Sequence, residues 1–184
     1  MQTNELLLNL EDAQRLDVAP QILEIYVNFV ASCAISCWHA SETESVAMWK
    51  LYATGPVGIA ISTTVERIQK SLTETSERNL NLHVGTVQYI DHEADAFSIN
   101  DLEIRTALQC LFEKRREYSH EREVRFVLAN AKETEIPLTD MKFIDRVITS
   151  PEFPTWAVSS LQSMLAAVGS TIAIEPSDLA EVNS

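Results

Sequence analysis

Glu121 and Glu123, followed by Arg125 in EYSHEREVRFVLAN, are the residues of this chain whose types and spacing best suit chemistry. In an extended segment, residues two apart share a face, so Glu121, Glu123, Arg125 and Val127 lie on one side and Val124, Phe126 and Leu128 on the other. Two neighbouring carboxylates repel unless a cation, a shared proton or a substrate compensates them. With the apolar side committed to a core, the pair is expected to project into a cleft as candidate catalytic acids, with Arg125 as a candidate ligand-binding residue. Lys114, Arg115, Arg116, Arg122 and Arg125 bring five of the fourteen basic residues into one short span. An acidic chain has reason to concentrate them only for an anion or for its own carboxylates. The structural alternative is an internal ion-pair network with Glu113, Glu117, Glu121 and Glu123. Trp38 and His39 offer an aromatic face and a proton carrier, and with Tyr52, Lys114 and Arg115 they complete the candidate ligand-binding set. Against that, a histidine beside a helix start is more often a satisfied structural residue, and Trp49 and Tyr52 on one helix are more often core.

The elements that must position these residues centre on Cys37 to Thr64, CWHASETESVAMWKLYATGPVGIAISTT. Ser41 with Glu44 reads as a capping box that starts a helix near Glu42. Val46, Met48, Trp49, Leu51 and Tyr52 give that helix a wide apolar face, with Trp49 as a core anchor, and Gly55-Pro56 stops it. Val57 to Ile61 is short, branched and apolar, which predicts a strand buried on both faces. Thr63 with Glu66 reads as a second capping box, opening a helix through Leu72. Upstream, a peripheral helix over residues 3 to 17 is broken by Pro20. Ile22, Ile25, Phe29 and Cys33 mark a second helical face, and Ala34 to Trp38 is extended.

Downstream, 73 to 81 reads as a surface loop and His83 to Ile90 as a strand. Asp101 caps a helix that carries Lys114, Arg115 and Arg116 at its cation-favouring end. Short strands are expected near Ile136 and over Phe143 to Ile148. Pro154 then opens a helix with Trp156, Leu161, Met164, Leu165 and Val168 inward and Gly169 as its cap, before a strand over Thr171 to Ile174. Strand, helix and strand at this length permit a parallel crossover.

With 184 residues and 46% hydrophobic content the chain suits one α+β domain, a mixed β-sheet covered by helices. Residues 1–33 form peripheral helices, 34–151 the core, and 152–184 a C-terminal helix and strand. No run reaches the roughly 18 apolar residues a bilayer span needs, and the N-terminus has no leader pattern, which predicts a soluble cytoplasmic protein without a membrane partner. Cys33, Cys37 and Cys110 are too few and wrongly spaced for a disulfide framework or a zinc site, so buried reduced thiols are expected, with no metal and no cofactor. The net charge of -13 speaks against duplex nucleic acid. A glycine-rich phosphate loop, H-E-x-x-H and G-x-S-x-G are all missing from the sequence, which disfavours the corresponding enzyme classes. A small anionic or nucleotide-like ligand is the partner that remains.

The blocks CWHASE, ESVAMWKLYA, VGIAIST, VGTVQYID, KRREYSHEREVR and ITSP, in that order, resemble a family of uncharacterised bacterial proteins, a domain of unknown function. The resemblance covers about Ala34 to Pro151 and singles out Cys37, Trp38, Met48, Trp49, Tyr52, Gly58, Lys114, Glu121, Glu123 and Arg125. It implies a fold-sized unit and candidate positions, without a reaction. Members carry an upstream segment with an aromatic-arginine strand and an Asp-Pro turn. That segment is not found here, which implies a truncated reading frame or a shortened member. The closing Glu-x-Glu is also similar to that of mono-ADP-ribosyltransferases, where a carboxylate holds the nicotinamide ribose and stabilises developing positive charge. Two classes therefore compete: a ligand-binding protein or enzyme, transferase-like in one version, and a non-catalytic structural or interaction module.

Overall fold

A computed structural model of the chain describes residues 12–75, 81–91, 104–129 and 141–180. In chain order the first elements are α1 (Asp12–Ala31), β1 (Ala34–His39), α2 (Val46–Tyr52), β2 (Ile59–Ser62) and α3 (Val65–Thr75). There follow β3 (Leu82–Thr86), β4 (Gln88–Ile90), α4 (Ile104–Cys110), β5 (Glu113–Arg115), a 3-10 turn (Arg116–Glu121) and β6 (Glu123–Leu128). The chain closes with β7 (Arg146–Thr149), α5 (Thr155–Ala167) and β8 (Ala173–Pro176). The fold is α+β, and among the described residues its strands are shared among three sheets, where one was expected. The predicted strand near Ile136 and the Asp101 cap lie outside the described residues.

The chain divides into two compact units, Met1–Ala40 with Asn81–Thr134 and Ser41–Leu80 with Glu135–Ser184. The first contains an antiparallel sheet in the order β1-β6-β3 and a two-stranded parallel pair, β4 with β5. Pairing Cys37 with Arg125, His39 with Glu123 and Gly85 with Arg125 places these residues on one face of the sheet. Trp38, Val124 and Thr86 occupy the other. The charged face is the more enclosed one: Val127 is fully buried and Glu123 is 6% exposed, whereas Val124 and Leu128 on the supposed core side are half-buried. Phe126 alone of the three expected core residues is fully enclosed. Phe112 makes the difference, since its ring lies so close to Gly85 that an added Cβ would sit 3.2 Å from it. The segment after α4 thus lies over the charged side.

Three local expectations in this unit are corrected. Pro20 does not break the first helix; α1 runs through it. A proline removes one amide donor and strains the preceding turn, but a helix that long keeps its remaining hydrogen bonds. The helix expected over 101–117 ends at Cys110, where Leu111 and Phe112 donate to the carbonyls of Leu108 and Gln109 and tighten the last turn. Lys114 to Arg116 therefore leave the helix altogether. The cysteines are free thiols, but Cys37 is exposed and Cys33 and Cys110 are only half-buried.

In the second unit β2 pairs antiparallel with β7, and β7 pairs parallel with β8 through the α5 crossover, as the strand-helix-strand spacing predicted. The order β2-β7-β8 puts β2 at an edge, and Val57, Ile59 and Ile61 are 55%, 50% and 42% exposed. The strand expected to be buried on both faces is an edge strand. Helix α2 starts at Val46, four residues later than predicted, because Ser45 is its cap and accepts from the Met48 amide. Ser41 instead closes a short turn with Thr43. Helix α3 is capped by Thr64, which accepts from Arg67 N, while Thr63 donates to the Phe143 carbonyl. No residue of α2 is buried, so Trp49 is half-enclosed and not a core anchor. Trp156 and Met164 on α5 and Val168 at its end are exposed against expectation, and Ala157 is the buried residue of the helix. Gly169 caps that helix at φ 70° as predicted, with Ser170 donating back to Leu165.

Candidate functional site

The chain builds its polar cluster in the first unit from three consecutive pieces. Strand β5 sets Lys114 in register with Tyr89. The 3-10 turn that follows carries Glu121, and Arg122 then takes a left-handed conformation (φ 43°) that redirects the chain into β6. Glu121 is therefore not on the strand, contrary to the alternation reading. The reversal at Arg122 brings its carboxylate back beside Glu123.

Lys114 Nζ donates to Glu121 Oε2 at 2.5 Å and to Glu123 Oε1 at 2.6 Å. Arg125 Nε donates to Glu123 Oε2 at 2.8 Å, and a second Arg125 nitrogen reaches the Leu111 carbonyl at 2.5 Å. Both carboxylate side chains are nearly closed off, 7% exposed for Glu121 and 6% for Glu123, while Lys114 retains 25% and Arg125 12%. The Glu123 amide donates to the Tyr89 hydroxyl at 2.8 Å. Lys114 Nζ also stands 4.7 Å above the Tyr118 ring.

The ionisation states follow from this geometry. Burial alone would raise the Glu123 carboxyl, but hydrogen bonds from Arg125 and Lys114 outweigh it and hold the group down at about 2. Burial works equally against the charge of Lys114, and the two carboxylates overcome it, so the ammonium is held above its ordinary value. Arg125 is likewise raised, with desolvation overcome by Glu123. The Cys37 thiol is pushed up by burial of its sulfur and by Glu123, with Arg125 acting in the opposite sense. It is not an activated nucleophile.

His39 lies opposite Glu123, and its Nδ1 stands 2.6 Å from the Glu121 carbonyl oxygen. A carbonyl only accepts, so Nδ1 carries the proton. That leaves Nε2 buried without a partner among the described residues. Trp38, its neighbour, is on the opposite face of the sheet, where its indole donates to Ser36 Oγ. Adjacent strand residues cannot line one cleft, so the expected Trp38–His39 pair is not a unit. Tyr52 belongs to the second unit and is 66% exposed. Arg115 is exposed, as are Arg116 and Arg122. Of the predicted residues of the first unit, then, Glu121, Glu123, Arg125, Lys114 and His39 are brought together, and Trp38 and Arg115 are not. Tyr89 and Cys37 join the cluster without having been assigned a role in it. A period-two reading of CWH would have shown that Cys37 shares the His39 face.

Residues 48–126 match the family described as Protein of unknown function (DUF2971). The matched stretch runs from α2 into β6 and takes in Lys114, Glu121, Glu123 and Arg125, so the resemblance to an uncharacterised family of unknown function holds. No curated protein and no solved structure matches the chain. Among the described residues no helix is long and apolar enough to cross a membrane, and no group of three or more potential ligands could hold a metal ion.

Proposed function

We propose that this protein is a non-catalytic binding module for a small anionic ligand, and that Glu121, Glu123, Lys114 and Arg125 form the ion network that shapes it. The carrying observation is the Lys114 ammonium shared between both carboxylates at 2.5 and 2.6 Å in a nearly closed environment. A carboxylate that holds a ribose or stabilises a developing cation must offer lone pairs to the substrate. Glu123 gives one oxygen to Lys114 and the other to Arg125, and Glu121 is committed to the same lysine. A general acid or base works best with a pKa near the operating pH. Held at about 2, Glu123 stays ionised throughout the neutral range. These features speak against the transferase-like reading of Glu-x-Glu. The net charge of -13 speaks against extended polyanions such as duplex nucleic acid, and three free thiols suit a cytoplasmic setting.

The test is incubation with nicotinamide dinucleotide, followed by chromatographic detection of nicotinamide, for the parent and Glu123→Gln. We expect no turnover by either and a lower melting temperature for the variant. Nicotinamide release by the parent that vanishes in a folded Glu123→Gln protein would overturn the reading in favour of a transferase.

A further inference from the structure

We infer that the 3-10 turn between β5 and β6 is the anion-binding surface of this protein, with Arg115, Arg116 and Arg122 taking the phosphates of a compact phosphorylated ligand and Tyr118 offering an aromatic face. The inference rests on the binding-module reading above. Its starting point is a division of labour among the five clustered cations. Lys114 and Arg125 are used up by Glu121 and Glu123. Arg115, Arg116 and Arg122 are exposed and have no ion pair among the described residues, on a chain of net charge -13. Carboxylates are abundant in this protein, yet on the turn itself only Glu117 stands against the three guanidiniums, since Glu121 is turned inward.

A second, independent observation is the backbone of Arg122. Its φ of 43° is the only positive value for a non-glycine residue among those described. Branch-free side chains tolerate that conformation at a cost, and glycine would hold it with none. A guanidinium at a position where glycine is conformationally preferred indicates that the side chain does something the backbone does not need. The local conformation is held on both sides, by Ala40 N donating to the Arg122 carbonyl at 2.9 Å and by the Arg122 amide donating to the Ser119 carbonyl at 3.3 Å.

The ligand class follows from two opposing fields. Guanidiniums pair with phosphate in a bidentate fork that ammonium groups do not offer. The chain as a whole carries a net charge of -13, so a long polyanion meets repulsion away from the turn, whereas a compact ligand stays within about 10 Å, the screening length at 0.1 M salt. Tyr118, on the same turn, is 45% exposed, with Lys114 over its ring, and offers aromatic surface. A nucleoside diphosphate has both parts, and pyrophosphate has only the first.

The experiment is calorimetric titration of the full chain with ADP and with pyrophosphate at low and moderate salt. The parent, Arg115→Ala with Arg116→Ala, Arg122→Gly and Tyr118→Leu are compared. We expect parent binding that weakens with salt, and a loss of affinity of tenfold or more in the double variant. Arg122→Gly should melt no lower than the parent and still bind at least fivefold more weakly, which separates the side chain from the backbone it strains. Tyr118→Leu should weaken ADP and leave pyrophosphate unchanged. Unaltered affinity in both arginine variants would overturn the location while the binding-module reading stands. Absence of parent binding to either probe would overturn the ligand class, and the nicotinamide assay judges the non-catalytic reading by itself.

Discussion

The indole Nε1 of Trp49 donates to Glu44 Oε2 at 2.8 Å, and the same carboxylate accepts from Ser177 Oγ at 2.5 Å and from the Asp178 amide at 2.6 Å. Glu44 thereby ties the start of α2 to the chain just beyond β8. Burial acts to raise this carboxyl, and the donors from Ser177, Asp178 and Trp49 outweigh it, leaving it below the ordinary value. A depressed folded value means that the clamp is fully formed above the ordinary carboxylate range, about pH 4.3 for glutamate, and is lost as pH falls through the folded value. Glu44→Gln keeps the shape and removes the charge that strengthens the three bonds. We expect it to cost about 1–3 kcal/mol, read as an earlier tryptophan-fluorescence transition in urea. A variant with an unchanged midpoint would mean that the clamp contributes nothing.

Gly58 is required by proximity. Its amide donates to Ser150 Oγ at 3.2 Å and its carbonyl accepts from the Ser150 amide at 2.9 Å. A Cβ at that position would stand 2.5 Å from the Cβ of Ala53. Neither atom is the end of a flexible chain, so backbone must move, and Gly58→Ala should cost about 1–3 kcal/mol. Gly58→Ala combined with Ala53→Gly should recover most of the loss in a thermal melt. Failure of that rescue would place the strain elsewhere.

What the sequence revealed of this fold is what short-range periodicity carries. Strand β6 was legible because its alternation is local, and so were β1, the α5 crossover and the Gly169 cap. Helix starts slipped, by one residue at Thr64 and by four at Ser45, because several hydroxyl residues precede each helix and only long-range packing selects among them. Glu44 shows the cause: its carboxylate leaves the expected capping box for Ser177, more than a hundred residues away. Which face of β6 is buried was illegible for the same reason. Alternation separates Phe126 from Val127 but does not say that Phe112 will cover Gly85 and enclose the charged side. Lys114 was named as a partner for the carboxylates from charge alone, though reading it on a helix end concealed how one ammonium could meet both.

Cys37 is exposed but should react slowly. Burial of its sulfur and the neighbouring Glu123 charge both disfavour the thiolate, and Arg125 only partly offsets them. A raised thiol is mostly protonated at neutral pH, and only the thiolate alkylates. Mass spectrometry after brief iodoacetamide treatment should find Cys37 modified more slowly than a free cysteine peptide at pH 7.5, with the difference closing as pH rises. Faster labelling than the peptide would show the sulfur to be activated.

Lys114→Met is the variant that most directly probes the cluster. It removes the one cation shared by both carboxylates while roughly keeping the aliphatic stem, so Glu121 loses its ion-pair partner and Glu123 is left with Arg125 alone. Stranding buried charge in this way typically costs about 3–5 kcal/mol. The variant should then gain a pH response that the parent lacks. In the parent, Glu123 is depressed to about 2, so its contribution is complete above the ordinary carboxylate range and constant between pH 7 and pH 5. In the variant, the repulsion between the two neighbouring carboxylates is no longer offset by the shared ammonium, so acidification relieves it. Urea unfolding at pH 7 and pH 5 should therefore show a parent whose stability hardly changes on acidification and a variant whose deficit shrinks. A deficit that stays constant across that range would mean that Glu121 and Glu123 were never coupled through the lysine.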